Sequence, residues 1–513
     1  HYPLRRQRQM CIRDSATTFS SAELGIDAPL VTVEAVVSSG LPKTLIVGLA
    51  ETAVRESKDR VKAAITSSGF EYPSRRITVN LAPADLPKST GRYDLAIAVS
   101  ILAASNQIPG DCIDGYEFLG ELSLTGSLRA VHGILPTALR NKGQGRRLVV
   151  PKVCELEAAL AESEDLYVAS SLHEVLVHLA TCEPLARPIE PQADPEDMLT
   201  SSLADVKGQA SAKRALTIAA AGGHNLLMVG PPGTGKTMLA SRLPLLIPQM
   251  SLEESLQVAS IASVSGQLFD YRRWRQRPFR RPHHTASAVA MVGGSNPPKP
   301  GEISLAHNGV LFLDEVPEYS RQVLEVLREP MESGEIWISR AARQVRYPAQ
   351  FQLIAAMNPC PCGYFGDGTR QCDCSAQQIH RYRSRLSGPL LDRIDIHVEV
   401  PPLPAGTLSD EIRTEGKPLE LKVTIATTRT LMLARQGILN SKLNNEQIAR
   451  HCALSAGDTR ILDDSVNQLG VSARGYFKIL KVARTIADLS GMGRITTPHL
   501  VEAIGYRKLN RPP

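Results

Sequence analysis

The sequence predicts an α/β protein with a parallel-sheet core, and three observations support this prediction. The apolar segment NLLMV, residues 225–229, leads into a glycine-rich loop and a helical run. Two more apolar segments, GVLFL at 309–313 and QLIAAM at 352–357, have the length of buried strands and alternate with helical patterns, as in a parallel sheet. The last segment, residues 403–513, lacks strand patterns and has helical spacing.

Composition places the chain among ordinary globular proteins. Of its residues, 43% are hydrophobic and 21% are charged. A length of 513 residues is sufficient for two or three packed domains. The formal net charge of +6 is too small to indicate a polyanionic partner by itself. No apolar run reaches the roughly 18 residues of a membrane span, and the cysteines do not form a disulfide-like framework. We therefore expect a soluble, cytoplasmic protein without membrane contact.

Proline content and periodicity divide the chain into five segments. Residues 1–15 have arginines but no following apolar run, so we expect a non-native or disordered leader. Residues 16–181 mix strand-like and helical runs and predict an α+β domain. Four prolines predict a linker over 182–202. The parallel-sheet core then spans 203–402, and the helical segment spans 403–513.

A phosphate-binding loop is the most specific motif. Residues 230–237 read GPPGTGKT, the full G-x-x-x-x-G-K-[ST] pattern, between the strand and the helix that the motif requires. Backbone N–H groups would cradle the phosphates, Lys236 would neutralise the β- and γ-oxygens, and Thr237 would ligate Mg²⁺. This context disfavours a glycine-rich turn with a chance lysine. We expect ATP and Mg²⁺ as cofactors, with ATP contacts from Gly230, Pro231, Pro232, Gly233, Thr234, Gly235, Lys236, Thr237 and Met238.

Polar residues follow the two other apolar strands. Asp314 and Glu315 follow GVLFL, where a parallel sheet would place them beside the phosphate loop. Asp314 could hold Mg²⁺ through water and Glu315 could orient the attacking water; two solvated acids at a strand end are the alternative. Asn358 follows QLIAAM and could align water against the γ-phosphate, although asparagine before Pro359 is equally typical of a turn.

Several segments together resemble one family. The phosphate loop, LFLDE at 311–315, NPCPCG at 358–363, RLSGPLLDRIDIHVEV at 385–400 and SARGYFKILKVARTIADL at 472–489 resemble the magnesium-chelatase-like AAA+ ATPases and, within them, the ComM/YifB competence family. The resemblance implies a Lon-protease-like N-terminal domain (ribosomal S5 domain 2-like), an AAA+ core and a C-terminal helical lid. It also implies assembly into a hexameric ring.

The same resemblance assigns roles to two arginines. Arg393 in LLDRID would be the arginine finger that reaches the nucleotide of the neighbouring subunit, and Arg474 in SAR would be the sensor arginine of the lid. A guanidinium beside the γ-phosphoryl group can accelerate hydrolysis by about 10³-fold or more, because charge spreads over its oxygens during transfer. From the residues alone, Arg393 could instead pair with Asp392 or Asp395.

The N-terminal domain raises the question of peptide hydrolysis. The stretch FLGELSLTGSLRAVHGILPTALRNKG, residues 118–143, resembles the proteolytic domain of Lon. Such a site needs a serine nucleophile activated by a lysine. Tyr93 or Asp94 stands at the serine position of the resemblance, and Thr137 stands near the lysine position. We therefore expect a retained fold that serves interaction or ring assembly.

Four cysteines lie close together in the sequence. The segment CPCGYFGDGTRQCDC has two C-x-C pairs separated by nine residues. Four thiolates suit tetrahedral Zn²⁺, and the glycine-rich bridge would let the pairs converge. Free thiols in a mobile loop are the alternative, because the spacing is not that of common zinc fingers. The candidate ligands are Cys360, Cys362, Cys372 and Cys374.

The first candidate DNA contact is an arginine-rich segment with interleaved aromatic residues. It reads YRRWRQRPFRRPHH over residues 271–284 and includes Arg273 and Arg275. Guanidinium groups suit phosphates and aromatic faces suit bases. A basic loop that pairs with a neighbouring subunit is an equally open interpretation.

The second candidate DNA contact is a predicted hairpin. GEIWISRAARQVRYP, residues 334–348, predicts two strands around a basic tip that contains Arg340, Arg343 and Arg346. In helicase-like AAA+ rings, which this core resembles, a hairpin in this place points into the central pore. Phosphate contacts from such tips would make DNA binding strongly salt-dependent.

The motifs are compatible with three functions. The resemblance implies a ring ATPase that moves on DNA, as a helicase driving branch migration while incoming strands recombine in natural transformation. A metal-insertion chaperone like the ATPase subunit of magnesium chelatase is the alternative, although the chain lacks a D-x-S-x-S motif, with DDSVN at 463–467 the nearest segment. An ATP-dependent peptidase is disfavoured by Tyr93 and Thr137.

Overall fold

The structure is a computed structural model, and the part of the chain that it describes begins at residue 15. The described residues are 15–48, 52–86, 88, 90–189, 203–267, 270, 273–295, 298–340, 343–366, 370–403 and 418–507. Most of the predicted leader and residues 190–202 of the predicted linker lie outside them. Among the described residues, no helix combines the length and the apolar character needed to cross a bilayer.

The N-terminal unit is a mixed sheet with helices. Its strands are β1 Ser15–Ser21, β2 Leu30–Ser38, β3 Lys43–Val47, β4 Arg76–Ala82, β5 Tyr116–Phe118, β6 Glu121–Leu122, β7 Leu128–Arg129, β8 Arg147–Pro151 and β9 Leu166–Ala169. Its helices are α1 Thr52–Arg55, α2 Ser57–Ser67, α3 Asp94–Ala104, α4 Ile134–Asn141, α5 Glu155–Ala159 and α6 Leu172–Thr181. One sheet has the order β3-β4-β2-β1-β5-β8-β9, and β6 pairs with β7. The first strand begins one residue before the predicted domain start.

Side-chain alternation explains how this sheet buries one face. In β2 the alternate residues Val31, Val33, Ala35 and Val37 are buried, as the period of a strand requires. The helix α3 is buried along its whole length and packs on β1 and β2. Its sequence DLAIAVSILAA is apolar on all sides, which is typical of a helix enclosed by the protein.

The core unit contains a parallel sheet, as the sequence predicts. Its strands are β10 Leu226–Val229, β11 Phe279–Arg280, β12 Gly293–Gly294, β13 Lys299–Pro300, β14 Val310–Leu313, β15 Glu335–Arg340, β16 Arg343–Pro348, β17 Gln352–Met357 and β18 Ile396–Glu399. Its helices are α7 Ala210–Gly222, α8 Lys236–Leu246, α9 Leu252–Ser265, α10 Ala288–Val292, α11 Glu302–Leu305, α12 Arg321–Val326, α13 Arg328–Ser333, α14 Ala376–Arg383 and α15 Gly388–Leu391. The main sheet has the order β11-β14-β17-β10-β18, with every neighbouring pair parallel.

The hairpin of β15 and β16 is held against both units. Its register runs from Glu335↔Pro348 to Arg340↔Arg343. One face is buried in a hydrophobic cluster that also includes Leu24 and Ile26, from the loop between β1 and β2. Between them, a Cβ on Gly25 would lie 2.6 Å from Val345 Cγ1, and Gly25 has a φ of +57°. The N-terminal unit therefore packs closely on the base of the hairpin.

The described C-terminal residues are helical. The helices are α16 Pro418–Gln436, α17 Asn445–His451, α18 Ala456–Leu469, α19 Ala473–Leu489 and α20 Thr497–Gly505. Serine side chains cap α18 and α19, because Ser455 accepts from the Asp458 N–H and Ser472 from the Gly475 N–H. The buried face of α19 joins the core through α7, with Ile479, Ala483 and Ile486 in one hydrophobic cluster.

Candidate nucleotide-binding site

The phosphate loop connects β10 to α8 at the carboxyl edge of the core sheet. Gly233 and Gly235 have φ of +78° and +85°, and a Cβ at either position would meet no atom within 4 Å. These glycines are therefore required by the backbone conformation and not by crowding. At Gly230 a Cβ would lie 2.1 Å from the Val400 carbonyl oxygen, so this position has no room for a side chain. The loop is an open cradle at a helix N-terminus, which suits phosphate.

Lys236 lies inside this cradle. Its Nζ donates to the carbonyl oxygens of Gly230 at 2.6 Å and Pro231 at 2.7 Å, and to Asn358 Oδ1 at 3.2 Å. Burial lowers the pKa of Lys236 to about 8, against the opposing effect of the charges on Asp314 and Glu315. The ammonium group is thus desolvated and close to the place where a triphosphate would supply negative charge.

A carboxylate and a hydroxyl adjoin the cradle. Thr237 Oγ1 donates to Asp314 Oδ2 at 2.9 Å. The same oxygen accepts from Arg281 Nη2 at 2.8 Å, and the Arg281 guanidinium lies 5.6 Å from the centre of the Phe312 ring. Hydroxyl and carboxylate oxygens are the ligands that Mg²⁺ prefers beside nucleotide phosphates. The residues present therefore fit ATP and Mg²⁺, for which Lys236 would contact the phosphates and Thr237 and Asp314 would hold the metal.

Glu315 and Asn358 lie at the same sheet edge. Glu315 has a φ of +49° and a side chain that is 52% exposed, with His284 Nδ1 4.0 Å from its Oε2. Asn358 follows β17 directly, and its side-chain oxygen faces Lys236. One carboxylate open to solvent and one amide fixed beside the phosphate cradle are groups of the kind that can orient a water molecule.

Arg393 lies at the amino-terminal end of the core strands, opposite to the end that carries the phosphate loop. β10 and β18 are parallel neighbours in register from Leu226↔Ile396 to Val229↔Glu399. The phosphate loop follows the last of these residues, whereas Arg393 precedes the first. A strand rises about 3.3 Å per residue, so roughly 10 Å or more of sheet separates Arg393 from Lys236 of the same chain. A nucleotide on this chain's own phosphate loop is out of reach of the Arg393 guanidinium.

The backbone around Arg393 is held by a buried ion pair. Lys478 Nζ contacts Asp395 Oδ1 and donates to the Arg393 carbonyl oxygen at 3.2 Å. Asn225 donates its backbone N–H to Asp395 Oδ2 and its side-chain amide to the same Arg393 carbonyl. Burial raises the pKa of Asp395, but the positive charge of Lys478 and the neighbouring His224 outweigh burial and keep this pKa well below its ordinary value.

Arg393 and Arg474 line one cavity. Its volume is about 350 Å³, and it lies between the amino edge of the core sheet and the start of α19. The Arg393 side chain is 14% exposed and pairs with Glu332 at 2.8 Å, which differs from the pairing with Asp392 or Asp395 considered above. Further cationic residues line the cavity, namely Lys442, Lys478 and Lys481. Glu332, Asp392 and Asp395 also line the cavity, so its five cationic residues exceed its three acidic residues by two.

The four clustered cysteines converge in space. Their Sγ atoms all lie within 4.8 Å of one another, with distances of 3.3 Å for Cys360–Cys362 and 3.6 Å for Cys362–Cys372. Sulfur atoms around a tetrahedral Zn²⁺ at about 2.3 Å are about 3.8 Å apart, so the donor set fits this ion. A hydrogen bond from the Tyr364 backbone N–H lowers the pKa of Cys362 to about 6, whereas the neighbouring Cys362 and Cys360 raise the pKa of Cys372 and of Cys374, so without a metal only one thiolate is favoured.

Known protein families match segments of the N-terminal unit, the core unit and the C-terminal helices. The family described as "Magnesium chelatase, subunit ChlI" matches residues 202–408, "Subunit ChlI of Mg-chelatase" matches 33–153, and "Magnesium chelatase, subunit ChlI C-terminal" matches 418–507. Competence protein ComM of Haemophilus influenzae is 49% identical over 500 residues, which are 97% of this chain and 98% of the relative. This chain belongs to the ComM/YifB family of magnesium-chelatase-like proteins.

Other matches show how the ComM/YifB family relates to magnesium chelatase. The YifB protein of Escherichia coli is 48% identical over 491 residues, 96% of each chain. Magnesium-chelatase subunit ChlI-1 of Arabidopsis thaliana is 23% identical over 220 residues, 42% of this chain and 46% of the relative. Family membership supports an AAA+-type ATPase that uses ATP and Mg²⁺.

The ComM/YifB N-terminal unit has a buried polar cluster near the positions expected for a Lon-type dyad. Asp94 is fully buried and forms an ion pair with Arg60, 2.7 Å from Nε to Oδ2. Thr137 is also buried, donates to the Gly133 carbonyl oxygen at 2.9 Å, and accepts from Arg92 at 3.3 Å. Both side chains are engaged in internal contacts and closed to a substrate.

The predicted DNA-contacting arginines fall on two surfaces. Arg273 has an 81% exposed side chain that lies 3.6 Å from Asp270, and Arg275 is also exposed. Arg346 is 64% exposed on the outer face of the hairpin, 3.4 Å from Glu335. The side chains of Arg340 and Arg343 lie outside the described residues, so for these two the structure gives only the backbone pairing at the hairpin tip.

Some site residues of this ComM/YifB member were missed by sequence reasoning. Arg281 was grouped with the DNA-contacting segment, but the structure places it on Asp314. Gln209, with a φ of +57°, donates to the Pro401 carbonyl oxygen at 2.7 Å and lies 3.4 Å from that of Thr234. The rule that polar residues follow parallel strands would have found Arg281, had the short strand β11 been recognised. No local signal marks Gln209.

Proposed function

We propose that this protein is an ATP-hydrolysing ring motor that acts on DNA and drives branch migration when incoming strands recombine during natural transformation. One observation carries the proposal: Lys236, Thr237, Asp314 and Asn358 meet at one edge of the core sheet, while Arg393 lies at the other. A site divided in this way is completed only when a second copy supplies its arginine. Assembly, as a hexameric ring, is then a condition of hydrolysis.

The cavity that Arg393 shares with Arg474 supports the divided site. Both arginines line the same space, so one triphosphate bound to a neighbour could meet both once Arg393 leaves Glu332. Arg393 acts as the finger and Arg474 as the lid arginine in this arrangement, each stabilising charge on the γ-phosphoryl oxygens. Glu315 orients the attacking water, and Asn358 fixes it against the γ-phosphate.

DNA as the partner is supported by the hairpin and by the relatives. The hairpin has one buried face and a basic tip, and its outer face carries Arg346 and an exposed Trp337. A guanidinium beside an aromatic face suits a sequence-independent contact with a strand. A relative named as a competence protein matches almost the entire chain. Arg273 and Arg275, exposed on a second surface, are proposed as further contacts with DNA.

A metal-insertion chaperone is the second candidate, and the family descriptions favour it. The ChlI descriptions match three segments of the chain. The magnesium-chelatase subunit itself aligns with only 42% of the chain, however, compared with 97% for ComM. The DNA motor is therefore preferred. The four cysteines are proposed as a structural Zn²⁺ site in either case.

Strand displacement on forked and branched DNA tests the proposal. The full chain is incubated with ATP and Mg²⁺ beside Lys236→Ala as a catalytically dead control. We expect displacement that requires ATP and an ATPase rate that DNA stimulates, with both absent in the control. A wild-type protein that hydrolyses ATP, moves no strand and is stimulated only by a porphyrin-loaded partner would overturn the DNA assignment in favour of the chaperone.

A further inference from the structure

The cysteine cluster is built directly onto the nucleotide site. Cys360 is fully buried and follows Asn358 by two residues. Its Sγ accepts from the Phe365 backbone N–H at 3.4 Å, and its carbonyl oxygen accepts from the Gly363 N–H at 3.1 Å. The chain therefore makes a tight turn at the first C-x-C pair as soon as it leaves the amide that faces Lys236.

The turn rests on the phosphate loop. At Gly363, which has a φ of +89°, a Cβ would lie 2.7 Å from Pro232 Cδ and 3.9 Å from Asn358 Cγ. Glycine is required here both by the backbone conformation and by the close approach. Any displacement of the first cysteine pair therefore moves atoms in contact with the phosphate loop.

The far end of the cysteine segment returns to the same place. Ser375, which follows the last cysteine, caps α14 in a capping box with Gln378. From the end of this helix, Arg383 Nε donates to the Pro359 carbonyl oxygen at 3.0 Å. Both ends of the segment thus converge on the backbone next to Asn358.

Among the described residues, few contacts besides those of the sulfur atoms join the two cysteine pairs. Cys360 is buried, but Cys362, Cys372 and Cys374 are only partly buried. Of the aromatic residues between the pairs, Phe365 is 41% exposed, and Tyr364 accepts a hydrogen bond from Arg370 at 2.9 Å. Four close thiols without a metal have only weak hydrogen bonds to join them. A bound Zn²⁺ would replace these with metal–thiolate bonds and restrict the intervening loop.

We infer that Zn²⁺ held by Cys360, Cys362, Cys372 and Cys374 is a positioning element of the ATPase site, because it fixes Asn358 and Pro232 around the γ-phosphate. This inference rests on the proposed function and adds a metal requirement to hydrolysis. Asn358 acts on the reacting water, and the cysteines act through Asn358. A displacement of about 1 Å at a positioning group can lower a rate by roughly 100-fold.

Cys374→Ser tests the inference in the full chain, with Cys182→Ser as a matched control at an exposed cysteine outside the cluster. The readouts are the zinc content of the purified protein, the visible spectrum after Co²⁺ substitution, the binding of a fluorescent ATP analogue, and kcat. We expect one Zn²⁺ per chain and a tetrathiolate Co²⁺ spectrum in the wild type and the control. In Cys374→Ser we expect zinc loss and a kcat lowered by between about 10- and 100-fold.

A double variant separates positioning from misfolding. If the cysteines act through Asn358, Cys374→Ser combined with Asn358→Ala is no slower than Asn358→Ala alone, because effects through one group are not additive. The inference is overturned if kcat is unchanged in zinc-free Cys374→Ser. It is also overturned if the fold-losses of kcat in the two single variants multiply in the double variant. Neither result affects the proposed DNA motor. Absence of zinc from wild-type protein that hydrolyses ATP overturns it as well. Failure of the wild type to hydrolyse ATP overturns the proposed function instead.

Discussion

Arg281 forms an ion pair with Asp314, with 2.8 Å between Nη2 and Oδ2, and this oxygen also accepts the hydrogen bond of Thr237. The predicted metal ligands are thus shared with a guanidinium. We expect Mg²⁺ and Arg281 to compete for this carboxylate, so that bound metal weakens the ion pair.

The Mg²⁺ requirement should therefore change in Arg281→Gln. We expect a lower Mg²⁺ concentration for half-maximal binding of a fluorescent ATP analogue, because removal of the guanidinium frees Asp314. Arg280→Gln is the matched control, since Arg280 pairs with Glu302 at 2.7 Å and does not contact Asp314. An unchanged or higher Mg²⁺ requirement in Arg281→Gln would contradict the competition.

ATP affinity should fall as the pH rises above about 8. The pKa of Lys236 is lowered to about 8 in the nucleotide-free protein, and its ammonium form is the one that binds phosphate. Above this pH, binding requires uptake of a proton, so affinity declines by up to about tenfold per pH unit. The affinity is measured in Glu315→Gln, in which we expect ATP hydrolysis to be slow. Adding Lys236→Arg to this variant should remove the decline, because arginine keeps its charge at this pH. An ATP affinity that does not change with pH in Glu315→Gln alone would contradict the lowered pKa of Lys236.

Two inactive variants should complement each other if the site is shared between chains. We expect Arg393→Ala and Lys236→Ala each to lose about 10³-fold in ATPase rate. When the two are mixed, a chain with intact Lys236 can meet an intact Arg393 from its neighbour, so part of the rate returns. Light scattering verifies that mixed assemblies form. Mixed assemblies without recovered activity would place Arg393 outside the site.

Gly25→Ala should disturb the hairpin without touching the ATP site. The added Cβ would lie 2.6 Å from Val345 Cγ1 and would force the hairpin base or the β1–β2 loop to move. We expect weaker DNA binding and less stimulation of ATPase by DNA, with the basal rate kept. Gly69→Ala is the matched control, because Gly69 has a φ of +86° but open space around its Cβ position. If both variants weaken DNA binding equally, the cause is backbone strain at a positive φ and not the contact with Val345.

Lys478→Met should destabilise the protein by removing the partner of a buried charge. Breaking a buried ion pair costs about 3–5 kcal/mol in unfolding free energy, since Asp395 is only 3% exposed and would be left unpaired. Asp395→Asn in the same chain should recover part of the loss. The lowered pKa of Asp395 makes the pair stabilising above about pH 4, with the effect lost as the pH falls. Urea unfolding at several pH values measures both effects, and a loss that Asp395→Asn does not reduce would speak against the pair.

Local patterns were sufficient for much of the site. The phosphate loop, the strand before it and the polar residues after the next two strands are all read from short segments, and the structure brings Lys236, Thr237, Asp314 and Asn358 together. The spacing of the four cysteines indicated a metal site, and their sulfur atoms converge. The contact of Arg281 with Asp314 could not be predicted, because the strand before Arg281 has only two residues and leaves no readable period.

The sequence by itself determined which groups could perform the chemistry, because glycine, lysine and carboxylate positions within a motif are set by adjacent residues along the chain. Only the tertiary structure decided how the groups are distributed in space. The parallel pairing of β10 with β18 places Arg393 at the end of the strands opposite to Lys236, and the packing of α19 on α7 brings Arg474 to the same cavity as Arg393. Such placements depend on contacts between residues far apart in the chain, and no local pattern encodes them.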